Sequence, residues 1–218
     1  MKYTYILFDL DGTLTDPREG ITKSVAYALN KMGQKSVNLD ELTKFIGPPL
    51  KDSFMDYYNF TEDEANKAIE LYREYFKDIG IFENHVYQGI PELLKALIEQ
   101  KKILIVATSK PTVFAERIIR HFDLEKYFKV IIGSNLDGTR TNKAEVIETA
   151  LLEAGIEQKD DVVMIGDRKH DVIGANVVGI DSIGVEYGYG SYEELTKAGA
   201  TYIVKSTLEL GGLLENIE

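Results

Sequence analysis

An apolar run opens the chain. Tyr3 to Phe8 predicts a buried strand, which stops abruptly at Asp9-Leu10-Asp11-Gly12-Thr13. Residues 16 to about 85 then carry no strand pattern. Ile21, Val25, Leu29 and Met32 recur at helical spacing, and Gly33 is placed to end that helix. A shorter helix is predicted over Asp40–Phe45, broken by Gly47-Pro48-Pro49 because two prolines cannot continue it. Thr61 and Glu64 read as the capping box of a longer helix. Its apolar stripe is Ala65, Ala68, Ile69, Tyr72, Tyr75, Phe76 and Ile79, which reads as helix core and not as a ligand box.

From Gly89 strands and helices alternate. Pro91 suits the first turn of a helix running to about Gln100. Strands are predicted at Ile103–Ala107, Val130–Ile132, Val162–Ile165, Ser182–Val185 and Tyr202–Val204. Helices are predicted from Pro111 to about His121 and from about Lys143 to Ala154, and two more start at the capping boxes Ser191/Glu194 and Ser206/Glu209. This alternation predicts an α/β fold, a doubly wound and mainly parallel sheet, with an all-helical insertion after its first strand. The expected domains are a core of residues 1–15 and 86–218 and a helical cap of residues 16–85. The loop around Gly188-Tyr189-Gly190 reads as flexible and receives no role.

Composition narrows the classes. The chain has 218 residues, a net charge of −11 and no basic block, which argues against a nucleic-acid polymer as partner. It has no cysteine, so thiol catalysis, disulfides and cysteine metal sites are excluded. No apolar segment is long enough to span a bilayer, and the N-terminus lacks the pattern of a signal peptide. The expectation is a cytoplasmic protein, monomer or dimer, without membrane attachment.

The chemistry lies at strand ends. Asp9 and Asp11 repel each other unless a cation or a shared proton compensates, although a strand-end acid followed by an Asp-Gly turn accounts for them equally well. Three further polar clusters fall at strand ends or helix starts: Thr108/Ser109, Lys143, and Asp167/Asp171. Parallel strands bring their carboxyl ends to one edge, so these clusters should converge. Four carboxylates, hydroxyls and one lysine suit a Mg²⁺-assisted attack on a phosphate group, with one carboxylate as nucleophile and another moving protons.

With these clusters the sequence resembles the haloacid dehalogenase superfamily of phosphotransferases. Asp9-Leu10-Asp11-Gly12-Thr13 matches the first family motif, Thr108 the second, Lys143 the third, and Gly166-Asp167 with Asp171 the fourth. The helical insertion resembles the C1-type cap. Ile46-Gly47-Pro48-Pro49-Leu50 adds a likeness to the phosphoglycolate phosphatase and 5′-nucleotidase group. The resemblance implies that Asp9 attacks phosphorus and that Asp11 is the general acid and base. It implies Mg²⁺ held by Asp9, the Asp11 backbone carbonyl and Asp167, with Asp171 supporting the metal directly or through water. Thr108 and the Ser109 backbone N–H would hold phosphate oxygens, and Lys143 would bridge nucleophile and phosphate. The substrate would be a small phosphorylated metabolite: phosphoglycolate, a nucleoside 5′-monophosphate or a sugar phosphate. Asp11 separates this pattern from the dehalogenase branch, in which the second acid is absent. One departure is Ala144, where many relatives have proline after the motif lysine.

Plainer readings stand beside these. Thr108-Ser109 could simply cap the helix after Pro111, and Asp171 could be a first-turn acid facing the helix dipole. His85, His121 and His170 read as structural or exposed. Lys110, Arg18, Lys51 and Arg140 are candidates for substrate contacts, though each is more ordinarily a surface residue. Two other functions use the same scaffold: a phosphomutase, and a non-catalytic phosphate-metabolite sensor.

Overall fold

The computed structural model describes residues 2–34 and 38–217. The chain divides into two compact units, Pro17–His85 and the remainder. The remainder is built on a sheet whose strands are β1 (Tyr5–Phe8), β2 (Ile103–Pro111), β3 (Phe128–Ser134), β4 (Val162–Gly166), β5 (Asp181–Val185) and β6 (Tyr202–Val204). Their order is β3-β2-β1-β4-β5-β6, and every pairing is parallel. β1 is therefore the switch point, with β2 on one side and β4 on the other. Open parallel sheets place their sites at the carboxyl end of such a strand.

Helices α1 (Arg18–Lys31), α2 (Leu50–Tyr58) and α3 (Glu62–Phe76) lie in the Pro17–His85 unit. Helices α4 (Ile90–Glu99), α5 (Thr112–His121), α6 (Lys143–Glu153), α7 (Lys169–Val178), α8 (Tyr192–Ala198) and α9 (Thr207–Asn216) belong to the other. Leu7, Ile105, Ala107 and Met164 pack in one buried cluster with Val146, Ile147, Ala150 and Leu151 of α6 and Ala175 and Val178 of α7. That packing anchors the starts of α6 and α7 beside the ends of β1 and β4. Burial of these aliphatic side chains, at about 25 cal/mol per Å², is what holds the polar edge in register.

The predicted elements need several corrections. β1 begins at Tyr5 rather than Tyr3, because Tyr5 is the first residue in register with Ile103 and Val162, while Thr4 N–H donates to the Asp161 carbonyl ahead of the ladder. The segment predicted as a helix at Asp40–Phe45 is a 3₁₀ helix over Leu39–Phe45, capped by the Asn38 side chain. α2 has no counterpart in the sequence reading. α3 has the expected Thr61/Glu64 capping box but ends at Phe76, so Ile79 leaves the stripe and is exposed. At α8 and α9 only the serine half of each capping box forms. Glu194 turns to the Arg168 side chain and the Lys169 amide, and Glu209 accepts from the Lys205 amide.

Candidate active site

The register of β1 determines where its acids emerge. Phe8 pairs with Ile165 of β4 and Val106 of β2, and Asp9 N–H donates to the Ile165 carbonyl at 2.9 Å. Asp9 is thus the first residue past the ladder, between the end of β4 at Gly166 and β2, which runs on to Pro111. Asp167 follows β4 directly. Lys143 opens α6 behind the Asn142 cap, whose side chain accepts from Ala144 N–H. The substitution of Ala144 for proline leaves this helix start intact.

The distant acids and the lysine meet. Lys143 Nζ lies 2.8 Å from Asp9 Oδ1, 2.7 Å from Asp171 Oδ1 and 3.1 Å from the Ala107 carbonyl. One carboxylate oxygen from each of Asp9, Asp167 and Asp171 falls within 4.8 Å of the others. All three acids and Lys143 are buried. Asp11 makes an ion pair with Lys110, and both side chains are nearly enclosed. Thr108 is buried in β2, which runs past the predicted end at Ala107 to Pro111 with a break in register between those two residues, and its hydroxyl accepts from Lys110 N–H at 3.3 Å. Ser109 is half-buried, and its carbonyl accepts from the Ser134 hydroxyl.

The electrostatics follow from burial. Desolvation pushes the Asp167 carboxyl well above the usual carboxylate range, and the charges of Asp171 and Asp9 add to it, against the hydrogen bond from Tyr189 N–H. Desolvation lifts Asp171 to about 6, opposed by Lys143. Burial also raises Asp11, opposed by Lys110. For Lys143 burial disfavours the charge, but Asp171 and Asp9 outweigh it and the ammonium is held above its ordinary value.

Asp167 carries the test for a metal. Its Oδ2 accepts from Tyr189 N–H at 2.7 Å, while Oδ1 is buried with no hydrogen-bond partner. A buried carboxylate with one orphaned oxygen, clustered with two further carboxylates, is costly unless a cation compensates. The donors are all oxygen, so the set fits a hard divalent ion.

The loop given no role in the sequence reading is a correction. Tyr187 Oη donates to the Thr13 carbonyl at 3.0 Å, Tyr189 Oη to Asp16, and Tyr189 N–H to Asp167. Between them, a Cβ on Gly188 would sit 2.3 Å from the Gly12 carbonyl and 2.4 Å from Asp167 Cβ. Neither neighbour can yield. Gly188→Ala is therefore expected to destabilise the fold by about 1–3 kcal/mol, measured by urea denaturation. A change below about 0.5 kcal/mol would show that the loop does not clamp Asp167.

The other candidates separate. Lys110 is not a surface lysine. Arg140 Nε donates to the Gly133 carbonyl at 2.8 Å and supports that turn. Arg18 pairs with Asp40 at 2.8 Å, and Lys51 pairs with Glu62. His85 and His121 are exposed, and His170 is half-buried with its pKa lowered by desolvation.

Residues 6–185 match the model of the haloacid dehalogenase-like hydrolases. The chain belongs to this family. Among its relatives, a 5′-nucleotidase of Pseudomonas aeruginosa is 50% identical over 216 residues, covering 99% of this chain and 97% of that protein. A tyrosine-protein kinase, PtkA, of Mycobacterium tuberculosis is 38% identical over 198 residues, covering 91% of this chain and 67% of that one. The crystal structure of a predicted phosphatase from Clostridium acetobutylicum superposes with a TM-score of 0.96 at 55% identity, each chain covered in full. The fold expected of the family, a parallel sheet flanked by helices, is the fold observed. No helix among the described residues is long and apolar enough to cross a membrane.

Proposed function

We propose that the protein is a Mg²⁺-dependent phosphatase that hydrolyses a small phosphomonoester through an aspartyl-phosphate on Asp9. The observation that carries this is the buried contact of Lys143 with Asp9 inside a carboxylate cluster, with a further acid, Asp11, two residues on. Asp9 would attack phosphorus while Asp11 gives a proton to the departing alkoxide oxygen as its bond to phosphorus breaks. Asp11 would then take a proton from water as that water attacks the aspartyl-phosphate, releasing inorganic phosphate and restoring Asp9. Lys143 offsets charge on the phosphoryl oxygens. Thr108 and the Ser109 N–H would hold those oxygens at the end of β2.

Asp9, Asp167 and the Asp11 backbone carbonyl would hold the Mg²⁺. Both oxygens of Asp171 are already engaged, one facing Lys143 and the other accepting from Arg168 N–H at 3.0 Å, so it would act from behind these ligands. The bound cation would supply charge stabilisation for the phosphoryl group. The Pro17–His85 unit would serve as the specificity cap. Among substrates we put a nucleoside 5′-monophosphate first, ahead of phosphoglycolate and sugar phosphates. This rests on the 50% identity to the protein named 5′-nucleotidase.

Inorganic phosphate release across a panel of phosphomonoesters tests the reading. The expected result is highest kcat/KM on a nucleoside 5′-monophosphate, with EDTA lowering the rate about 100-fold or more and Mg²⁺ restoring it. Turnover of p-nitrophenyl phosphate that EDTA leaves untouched would overturn the metal-dependent mechanism.

A further inference from the structure

The Asp11 carboxylate is held asymmetrically. Lys110 Nζ donates to Oδ2, whereas Oδ1 is buried and has no hydrogen-bond partner. The lysine reaches this position because of how β2 ends. The β2–β3 register shifts between Ala107 and Pro111, where the pairing resumes at Ser134. The strand pulls close to Gly133 at this irregularity: a Cβ there would lie 2.1 Å from the Lys110 carbonyl and 2.8 Å from Thr112 N. Gly133 N–H donates to the Thr112 hydroxyl at 2.9 Å, and the Ser134 hydroxyl to the Ser109 carbonyl at 2.8 Å. Lys110 is thus fixed by the backbone on both sides, and its side chain is 6% exposed.

We propose that Lys110 is the positioning residue of the acid–base carboxylate, fixing which oxygen of Asp11 carries the transferable proton. An ammonium offers donors and cannot accept, so an oxygen already receiving its hydrogen bond is the unfavourable place for a proton. The proton then rides on Oδ1, the oxygen without a hydrogen-bond partner, which would meet the leaving group and, in the second step, the attacking water. The inference rests on the reading of Asp11 as general acid. Lys110 need not touch the substrate; it acts through Asp11.

The test uses leaving groups of different need. Phenyl phosphate requires protonation of its departing oxygen more than p-nitrophenyl phosphate, whose phenolate is already stable, while the phosphoryl group is the same in both. For Lys110→Met the kcat/KM ratio of p-nitrophenyl to phenyl phosphate should rise at least about tenfold over the unaltered enzyme, with the loss on phenyl phosphate about 100-fold. Thermal melting in the same buffer checks folding, and Lys110→Gln is read in the same way should the methionine variant not fold. Asp11→Asn is the reference and should raise the ratio at least as much. An equal loss on both substrates in the Lys110 variants, with the ratio raised in Asp11→Asn, would overturn the positioning role alone. A ratio unmoved in Asp11→Asn itself would overturn the acid–base reading, and this inference with it.

Discussion

Asp9→Asn is expected to lower turnover of p-nitrophenyl phosphate by about 10⁴-fold or more, because the proposed aspartyl-phosphate would form on this carboxylate. The substitution is close to isosteric. The asparagine carbonyl can still accept from Lys143 Nζ, which now sits 2.8 Å from Asp9 Oδ1. What disappears is the negative charge that the proposed attack on phosphorus requires. The same change removes one negative charge from beside Asp167 and Asp171, both of which Asp9 pushes upward. The metal-free variant should therefore melt at or above the temperature of the unaltered protein. Phosphate release and calorimetry together separate loss of chemistry from loss of fold. Activity within about 100-fold of the unaltered enzyme, in a protein that melts normally, would remove Asp9 as nucleophile.

The two halves of the site differed in how far the sequence revealed them. Asp9 and Asp167 could be placed in advance because each directly follows a strand, and a parallel sheet leaves one edge for such ends; the strand predicted to end at Ala107, just before Thr108, runs on to Pro111. Lys143 could be placed only through its match to the third family motif at a helix start; the packing of Val146, Ile147, Ala150 and Leu151 that turns this helix start toward Asp9 became visible in the structure. Lys110 could not. Its direction depends on a register shift in β2 and on the space above Gly133, and neither leaves a mark in local periodicity. Tyr189 was hidden for another reason: it acts on Asp167 through a backbone amide, which every residue but proline possesses. α2 escaped for a third reason. Of its apolar side chains only Phe54 is buried, while Met55 and Tyr57 are exposed, so no stripe emerges over nine residues.

Lys143→Met is expected to destabilise the metal-free protein by about 3–5 kcal/mol at neutral pH, the range found when one partner of a buried ion pair is removed. The methionine fills much of the volume, but it leaves Asp9 and Asp171 buried without the ammonium that both now contact. The pH dependence gives a second check. Burial pushes the Asp171 carboxyl up to about 6, above the ordinary carboxylate value of 3.8, with Lys143 opposing the rise. Without Lys143 its pKa moves further up. The folded state then binds more protons than the unfolded chain, so stability falls as pH rises through this range. The deficit of the variant should be largest at pH 7 and above and should shrink toward pH 5, where the carboxyl recovers its proton. Urea denaturation at a series of pH values in EDTA measures both. A deficit that is the same at pH 5 and pH 8 would mean that the lost stability comes from packing of the lysine stem along Gly174, where a Cβ would lie 2.8 Å from Lys143 Cγ, and not from its charge. With Mg²⁺ present the variant should still lose about 10²–10³-fold in kcat, since the cation proposed to offset charge on the phosphoryl oxygens is gone.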